Sequence, residues 1–339
     1  MSSEQFTRIA FETMQARFLE VLLNLGFPEQ KAANCASIFA NNSLDGIYSH
    51  GVNRFPRFVE YTRKGYIKPE MEAKCKNRLG AIEQWDGQLG PGPSNALQAT
   101  ERAMELAQEQ GLGLVALANT NHWMRGGYYG WQAARQGFAF MGWANTIANL
   151  PAWGARECKL GNNPLVFALP YQDEAIVLDM AMSQFSYGKL ENMQQLGHQL
   201  SVPGGFNRNN ELSTQPQEII ETGRPLPIGY WKGAGLSLML DLFASILSAG
   251  LSTSALTQQH QEEYGVSQVF IAINLKQLSN FPAIQQSLQA VLDDFHSAEK
   301  VAPEMTLRYP GQRVIQTRAE NRRLGIPVHA DVWQQILDF

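Results

Sequence analysis

The stretch SNALQATERAMELAQEQGLGLVALANTNHWMRGGYYG, residues 94–130, decides the fold class. Ala103, Leu106 and Ala107 recur at helical spacing up to Gln110, with Ser94 as the expected N-cap. Residues 112–117 are an apolar run of strand length. Gly111-Leu112-Gly113-Leu114-Val115-Ala116 spells GxGxxA, yet its glycines follow a helix and precede a strand. A dinucleotide-binding Rossmann turn needs the opposite order, because the pyrophosphate sits on the N-terminus of the helix that follows the strand. No acidic residue stands in the ribose position on a following strand. A Rossmann site is therefore rejected.

Outward from this stretch, residues 138–143, 165–169, 175–178 and 269–275 read as further strands. Strands alternating with helices predict an α/β domain. Residues 84–87 and 90–93 carry turn chemistry. Phe11, Met14, Phe18, Val21, Leu22 and Leu25 form a helical stripe; Gly26 stops it, and Pro28 opens a second helix through Ala32, Cys35, Ile38 and Phe39. A third helix is expected from Ser49 through Phe55, Phe58 and Tyr61. Residues 201–227 read as a polar surface excursion lidding a site. Residues 235–248 read as a buried helix, 284–295 as an amphipathic helix and 316–339 as helical.

The chain has 339 residues, 44% hydrophobic and 17% charged, as a well-packed enzyme does. A net charge of -4 gives no nucleic-acid surface, so an anionic substrate must be held by local cations. Cys35, Cys75 and Cys158 form no CxxC pair, which points away from a disulfide framework or zinc site and toward a reducing compartment. The opening MSSEQFTRIAFETMQARF has no apolar core of a secretory leader. The longest apolar run, 236–247, holds Ser237, Asp241 and Ser245 and is too short to span a bilayer. A cytoplasmic protein without membrane or nucleic-acid partners is expected.

Five motifs could carry chemistry. In Ser49-His50-Gly51-Val52-Asn53-Arg54, His50 can donate a proton near neutral pH, Ser49 can orient its ring, and Arg54, four residues on, can grip a carboxylate from the same helical face. A capping serine, a structural histidine and a surface arginine explain the same residues equally well. In 121–130, His122 can bond substrate oxygens at a strand's end, or the segment is a glycine turn with core aromatics. Trp231-Lys232-Gly233 opens a helix in a way that suits a phosphate and a stacked ring, or is a turn into a core helix. Residues 175–183 could line a dinucleotide groove, or form a core strand capped by Asp179. Arg313 is a lone loop cation. His50 and His122 as a metal pair lack a third ligand, so no metal is expected.

Together the SHG at 49–51, NHWMRGGYYG at 121–130, GNNP at 161–164, DMAMS at 179–183 and Lys232-Gly233 resemble, in order and over nearly the whole chain, the malate/L-lactate dehydrogenase family, which binds NAD(P) without a Rossmann fold. YSHGVNRFPRF, GAIEQWD, FSYG, GYWKGAG and AENRR are similar to its diketogulonate-reducing branch. Trp123 and Gly126-Gly127 depart from many relatives in the direction of that branch.

The resemblance implies a mixed-sheet α/β domain over 76–284 and a helical domain over 1–75 joined by 285–339. It implies His50 as proton donor, with Ser49, Arg54 and His122 on the substrate. It implies NADH, with NADPH left open, along Ala175, Ile176, Val177, Leu178, Asp179, Met180 and Ala181, with Trp231, Lys232, Gly311, Gln312 and Arg313. It further implies a homodimer that reduces the 2-keto group of a small 2-oxo sugar acid. Malate, lactate, ureidoglycolate or a cyclic imino acid are alternatives within the class. A metal-dependent lyase or hydrolase using His50 and His122, or a non-catalytic sugar-acid binder, are alternatives outside it.

Overall fold

The computed structural model describes residues 6–260 and 262–339; residues 1–5, which open the segment read for a leader, lie outside it. β1 (Phe6–Ile9) leads into α1 (Phe11–Asn24) and α2 (Glu29–Leu44). The expected stripe is buried at Met14, Phe18, Val21 and Leu22. Two 3-10 turns, Tyr48–His50 and Val52–Arg54, precede α3 (Phe55–Arg63). Phe18 stacks on Phe55 at 4.1 Å, and Phe39 meets Phe55 edge-on at 5.2 Å, so this helical layer closes around aromatics.

The central sheet is assembled from β2 (Lys74–Leu79), β3 (Ile82–Asp86), then α4 (Gly92–Gln110), β4 (Leu112–Thr120), α5 (Gly126–Arg135) and β5 (Phe138–Ala144). Short β6 (Leu150–Pro151) and β7 (Cys158–Leu160) pair with each other, and β8 (Leu165–Tyr171) and β9 (Glu174–Met180) complete the sheet's outer side. α6 (Tyr187–Gln195), β10 (Gly205–Phe206), β11 (Leu212–Ser213) and α7 (Pro216–Thr222) follow, then α8 (Trp231–Ser248), α9 (Thr253–Gln259) and β12 (Val266–Asn274). The chain ends with α10 (Phe281–Ser297), α11 (Gln312–Leu324), β13 (Ile326–His329) and α12 (Ala330–Leu337).

The seven strands run in the order β2-β3-β4-β12-β5-β8-β9; β3 and β4 are parallel and the other pairings antiparallel. Period-2 alternation sorts β4 between two layers. Val115 and Leu117 join the core under α4 and α5, while Leu114 and Ala116 join the core under α8. The α/β expectation holds in this mixed-sheet form. β13 pairs antiparallel with β1, and Ile326, Val328 and Ile336 enter the same core as Phe18 and Phe39. Residues 281–310 lie instead along the β8–β9 edge, where the Tyr171 hydroxyl donates to Gln289 at 3.1 Å and Tyr309 packs on Tyr171.

Several local expectations are corrected. α4 starts at Gly92, not at a Ser94 cap: Pro91 is the N-cap and Pro93 stands in the first turn, where proline's fixed φ suits a helix. Residues 84–86 belong to a strand rather than a turn. The helix expected from Ser49 is two separate turns before α3, broken at Gly51, so His50 and Arg54 do not share one regular helical face. The polar excursion 201–227 packs with the segment before it around a small core of Leu190, Leu200 and Ile219. α8 is buried along one face only: Ser237, Leu240 and Ala244 are buried, whereas Leu238, Met239, Leu242, Phe243 and Ile246 are exposed, the last at 70%. The tail contains a strand as well as helices.

Candidate active site

Gly51 fixes where His50 stands. A Cβ there would collide with the Ser43 side chain and lie 2.8 Å from the Ser43 backbone nitrogen, so only glycine lets the turn press on α2. Val52 N–H donates to Ser43 Oγ at 2.8 Å, and Asn42 Nδ2 donates to the His50 carbonyl at 2.9 Å. These bonds hold the turn. The His50 ring is then placed with Nδ1 3.0 Å from Ser49 Oγ. His122, at the end of β4, lies parallel to it, ring centroids 5.6 Å apart at 24°. Nδ1 of His122 accepts the Met124 N–H at 2.9 Å, which leaves the Nε2–H of the neutral ring free to donate. Met124 itself has φ 66°, a strained conformation for a side-chain-bearing residue at the site.

Next to the imidazoles is a cleft lined by Arg54, Arg57, Tyr61, Asn121, His122 and Glu263, with Phe58, Ile67 and Met124 as apolar walls. Among the described residues Arg54 makes no side-chain hydrogen bond or ion pair. Arg57 is engaged: it donates to Tyr61 and to Glu262, whose carboxylate also accepts from Tyr61. Glu263 is buried and lies 4.0 Å from His122 Nε2. The sequence reading missed Glu263, Arg57 and Asn121 as cleft residues. Nothing in the spacing of Glu262 and Glu263 separates the one on the rim from the one inside.

The protein packed around His50, and then the Arg54 and Arg125 charges, push its imidazole down to about 4. Burial, with Arg54, His50 and Arg57, holds His122 well below its ordinary value. Burial raises the Glu263 carboxyl, against the pull of Arg54 and Arg57. The free site therefore carries neutral imidazoles at neutral pH. A group that must be protonated to donate then limits reduction from the free protein. Between pH 5 and 8, kcat/KM for reduction is expected to fall about tenfold per unit, while kcat/KM for the reverse oxidation stays level. A reduction profile level up to pH 7 would contradict a His50 with so low a pKa.

The stretches expected to line a cofactor lead to β9, whose outer edge has no strand partner among the described residues. Val177 N–H donates to the Pro310 carbonyl at 3.0 Å, which sets Gly311, Gln312 and Arg313 beside it. Gly311 sits at φ 91°, and a Cβ there would meet Val177 and Trp131 at 3.2 Å. At the other end, Ile228 N–H donates to the Met182 carbonyl at 2.8 Å, and Pro227 bridges Ser183, leading to Trp231 and Lys232. Trp231 is 67% exposed, and Lys232 is exposed at the N-terminus of α8. Ala175 and Val177 are buried; Leu178 is exposed, Ile176, Met180 and Ala181 are partly so. Asp179 turns its carboxylate inward, accepting Gly127 N–H at 2.8 Å with Arg125 at 3.6 Å, so it caps α5. Gln312 accepts from Tyr309 N–H at 3.2 Å; Arg313 is exposed. Gly188, at the start of α6, lies against Ser49: a Cβ there would stand 3.1 Å from the Ser49 Cβ.

Among the described residues no group of three or more His, Cys, Asp or Glu is arranged to hold a metal. Among the described residues no single helix is long and apolar enough to cross a membrane.

Residues 9–337 match the family described as malate/L-lactate dehydrogenase. A protein of Escherichia fergusonii named 2,3-diketo-L-gulonate reductase is 47% identical over 329 residues, 97% of this chain and 99% of that protein. Its namesake in Escherichia coli K12 is 46% identical over the same shares. A malate dehydrogenase from Entamoeba histolytica has this fold, with a TM-score of 0.93 at 21% identity over 98% of this chain and 97% of that one. Sulfolactate dehydrogenase from Methanocaldococcus jannaschii superposes with a TM-score of 0.89 at 26% identity, over 98% and 96%.

Proposed function

The chain belongs to the malate/L-lactate dehydrogenase family and is an oxidoreductase, and from this premise we propose that it reduces the 2-keto group of 2,3-diketo-L-gulonate to give 3-keto-L-gulonate. The observation that carries the proposal is that His50, its ring bonded to Ser49, stacks on His122, which lines one cleft with Arg54. The names of the relatives at 46–47% identity support the substrate. Family membership favours this class over a metal-dependent lyase or hydrolase built on the two histidines.

His50 gives its proton to the carbonyl oxygen as that oxygen becomes an alkoxide. Ser49 fixes the ring's orientation through Nδ1, leaving Nε2 for the substrate. Arg54 pairs with the carboxylate, and His122 donates from Nε2 to a neighbouring oxygen, so that the keto carbon is held in one orientation. Pairing Arg54 with a carboxylate also cancels one of the two cations that depress His50, so the ring takes up its proton more readily in the complex.

The residues along and beside β9 suit a nicotinamide dinucleotide: a glycine at Gly311 that no larger residue could replace without crowding Val177, an exposed indole at Trp231, and an exposed Lys232 at the N-terminus of a long helix. When bound there, NADH, or NADPH, supplies the hydride. Ala175 to Ala181, Trp231, Lys232, Gly311, Gln312 and Arg313 would hold it. The exposed apolar face of α8 supports a homodimer, and sedimentation at micromolar concentration should give twice the chain mass of 37.8 kDa. The three unpaired cysteines fit a reducing, cytoplasmic location.

Arg54→Gln tests the carboxylate clamp. Losing a hydrogen bond between charged groups should lower kcat/KM for the keto acid by roughly 10- to 100-fold, mainly through KM. The same change removes a cation that depresses His50, so the reduction profile should move to higher pH. An unchanged KM with an unmoved profile would take Arg54 out of the site.

A further inference from the structure

We propose that Glu263 and Asn121 read hydroxyl groups of the substrate, so that the cleft favours a polyhydroxylated 2-oxo acid over a short unsubstituted one. The inference rests on the 2-oxo-acid reading above and assigns the side chains that choose among such acids. A pocket for a small anion gains nothing from a buried carboxylate, which repels the substrate and competes for Arg54. Glu263 is nevertheless only 9% exposed and lines the same cleft as Arg54. Its charge has a purpose if the ligand brings hydrogen-bond donors as well as a carboxylate.

The geometry points the same way. Glu263 Oε1 and His122 Nε2 are 4.0 Å apart, too far to bond directly. A hydroxyl oxygen set to one side of the line between them can lie about 2.8 Å from both. The polarity is complementary: His122 Nδ1 is taken by Met124 N–H, so Nε2–H donates to the hydroxyl, and the hydroxyl donates to Glu263. Asn121 adds a second acceptor. Its Nδ2 is spent on the carbonyls of Tyr66, Leu89 and Gly90, while the buried Oδ1 has no partner among the described residues. A ligand without hydroxyls leaves Asn121 Oδ1 unpaired and Glu263 with only its Ile147 backbone bond, which is how a site built for hydroxyls rejects the analogue that lacks them.

The test compares kcat/KM for 2,3-diketo-L-gulonate and for pyruvate, with NADH, in the full-length protein, Glu263→Leu and Glu263→Gln. NADH binding, followed by fluorescence, checks that each variant retains its fold. The ratio of the two kcat/KM values should fall roughly 10- to 100-fold in the leucine variant and less in the glutamine variant, which keeps one acceptor. The glutamine variant carries the test if the leucine variant does not fold. Equal losses on both substrates would make Glu263 a support for His122 and overturn the proposal. A parent protein that reduces pyruvate as well as diketogulonate would overturn hydroxyl reading and leave 2-oxo-acid reduction standing. A parent that binds NADH and reduces neither would remove both.

Discussion

His50→Ala is expected to lower kcat for keto-acid reduction by roughly 10²–10⁴-fold, the usual contribution of a positioned general acid. NADH affinity should stay within about twofold, because β9 and the segments at Pro310 and Ile228 are held by backbone bonds that do not involve this ring. The turn itself should persist: Asn42 bonds the His50 carbonyl and Ser43 bonds Val52, and neither contact uses the imidazole. Stopped-flow reduction at several pH values adds a signature that a structural role would lack. The variant should lose the tenfold-per-unit dependence along with the rate. An unchanged kcat would remove His50 as proton donor.

Asp45→Ala should have the largest effect on stability. Asp45 ends α2 and accepts from Arg125 at 2.5 Å and from Arg318 at 2.6 and 3.0 Å. Arg125 also reaches Asp179, and Arg318 reaches Glu174, so one carboxylate ties the helical layer to β9 and α11. Asp45 and Arg125 are both buried. Removing one partner of a buried pair leaves an uncompensated charge and costs about 3–5 kcal/mol. In a chain of this length that is roughly 4–7 °C in Tm. In Arg318→Met both carboxylates keep another partner, Asp45 its bond from Arg125 and Glu174 its pair with Arg135, so this change should cost less than Asp45→Ala. A shift under one degree for Asp45→Ala would show that the network carries no net stability.

The fold was legible where a single local pattern decides. The 3.6-residue stripe of α1 and the helix-to-strand step at 110–112 needed no tertiary information. The β2–β3 hairpin was not legible, because β2 is exposed along its whole length and shows no apolar alternation. α8 reads as a strongly apolar helix despite Ser237, Asp241 and Ser245, which implies burial, yet the single chain covers one face of it. At the site, His50, Arg54 and His122 could be proposed from their chemistry. Their meeting could not, since it depends on a turn broken at Gly51 and on the end of β4, some seventy residues later. Glu263 carried no signal at all. Its role follows only from β12 returning beside β4, which brings the segment before it into the cleft.

The central claim is tested most directly by following NADH oxidation by the purified, metal-free protein with 2,3-diketo-L-gulonate and a panel of simple 2-oxo acids. The account predicts turnover insensitive to chelator and strongest with diketogulonate. Folded protein that binds NADH but oxidises it with none of these acids would contradict the account.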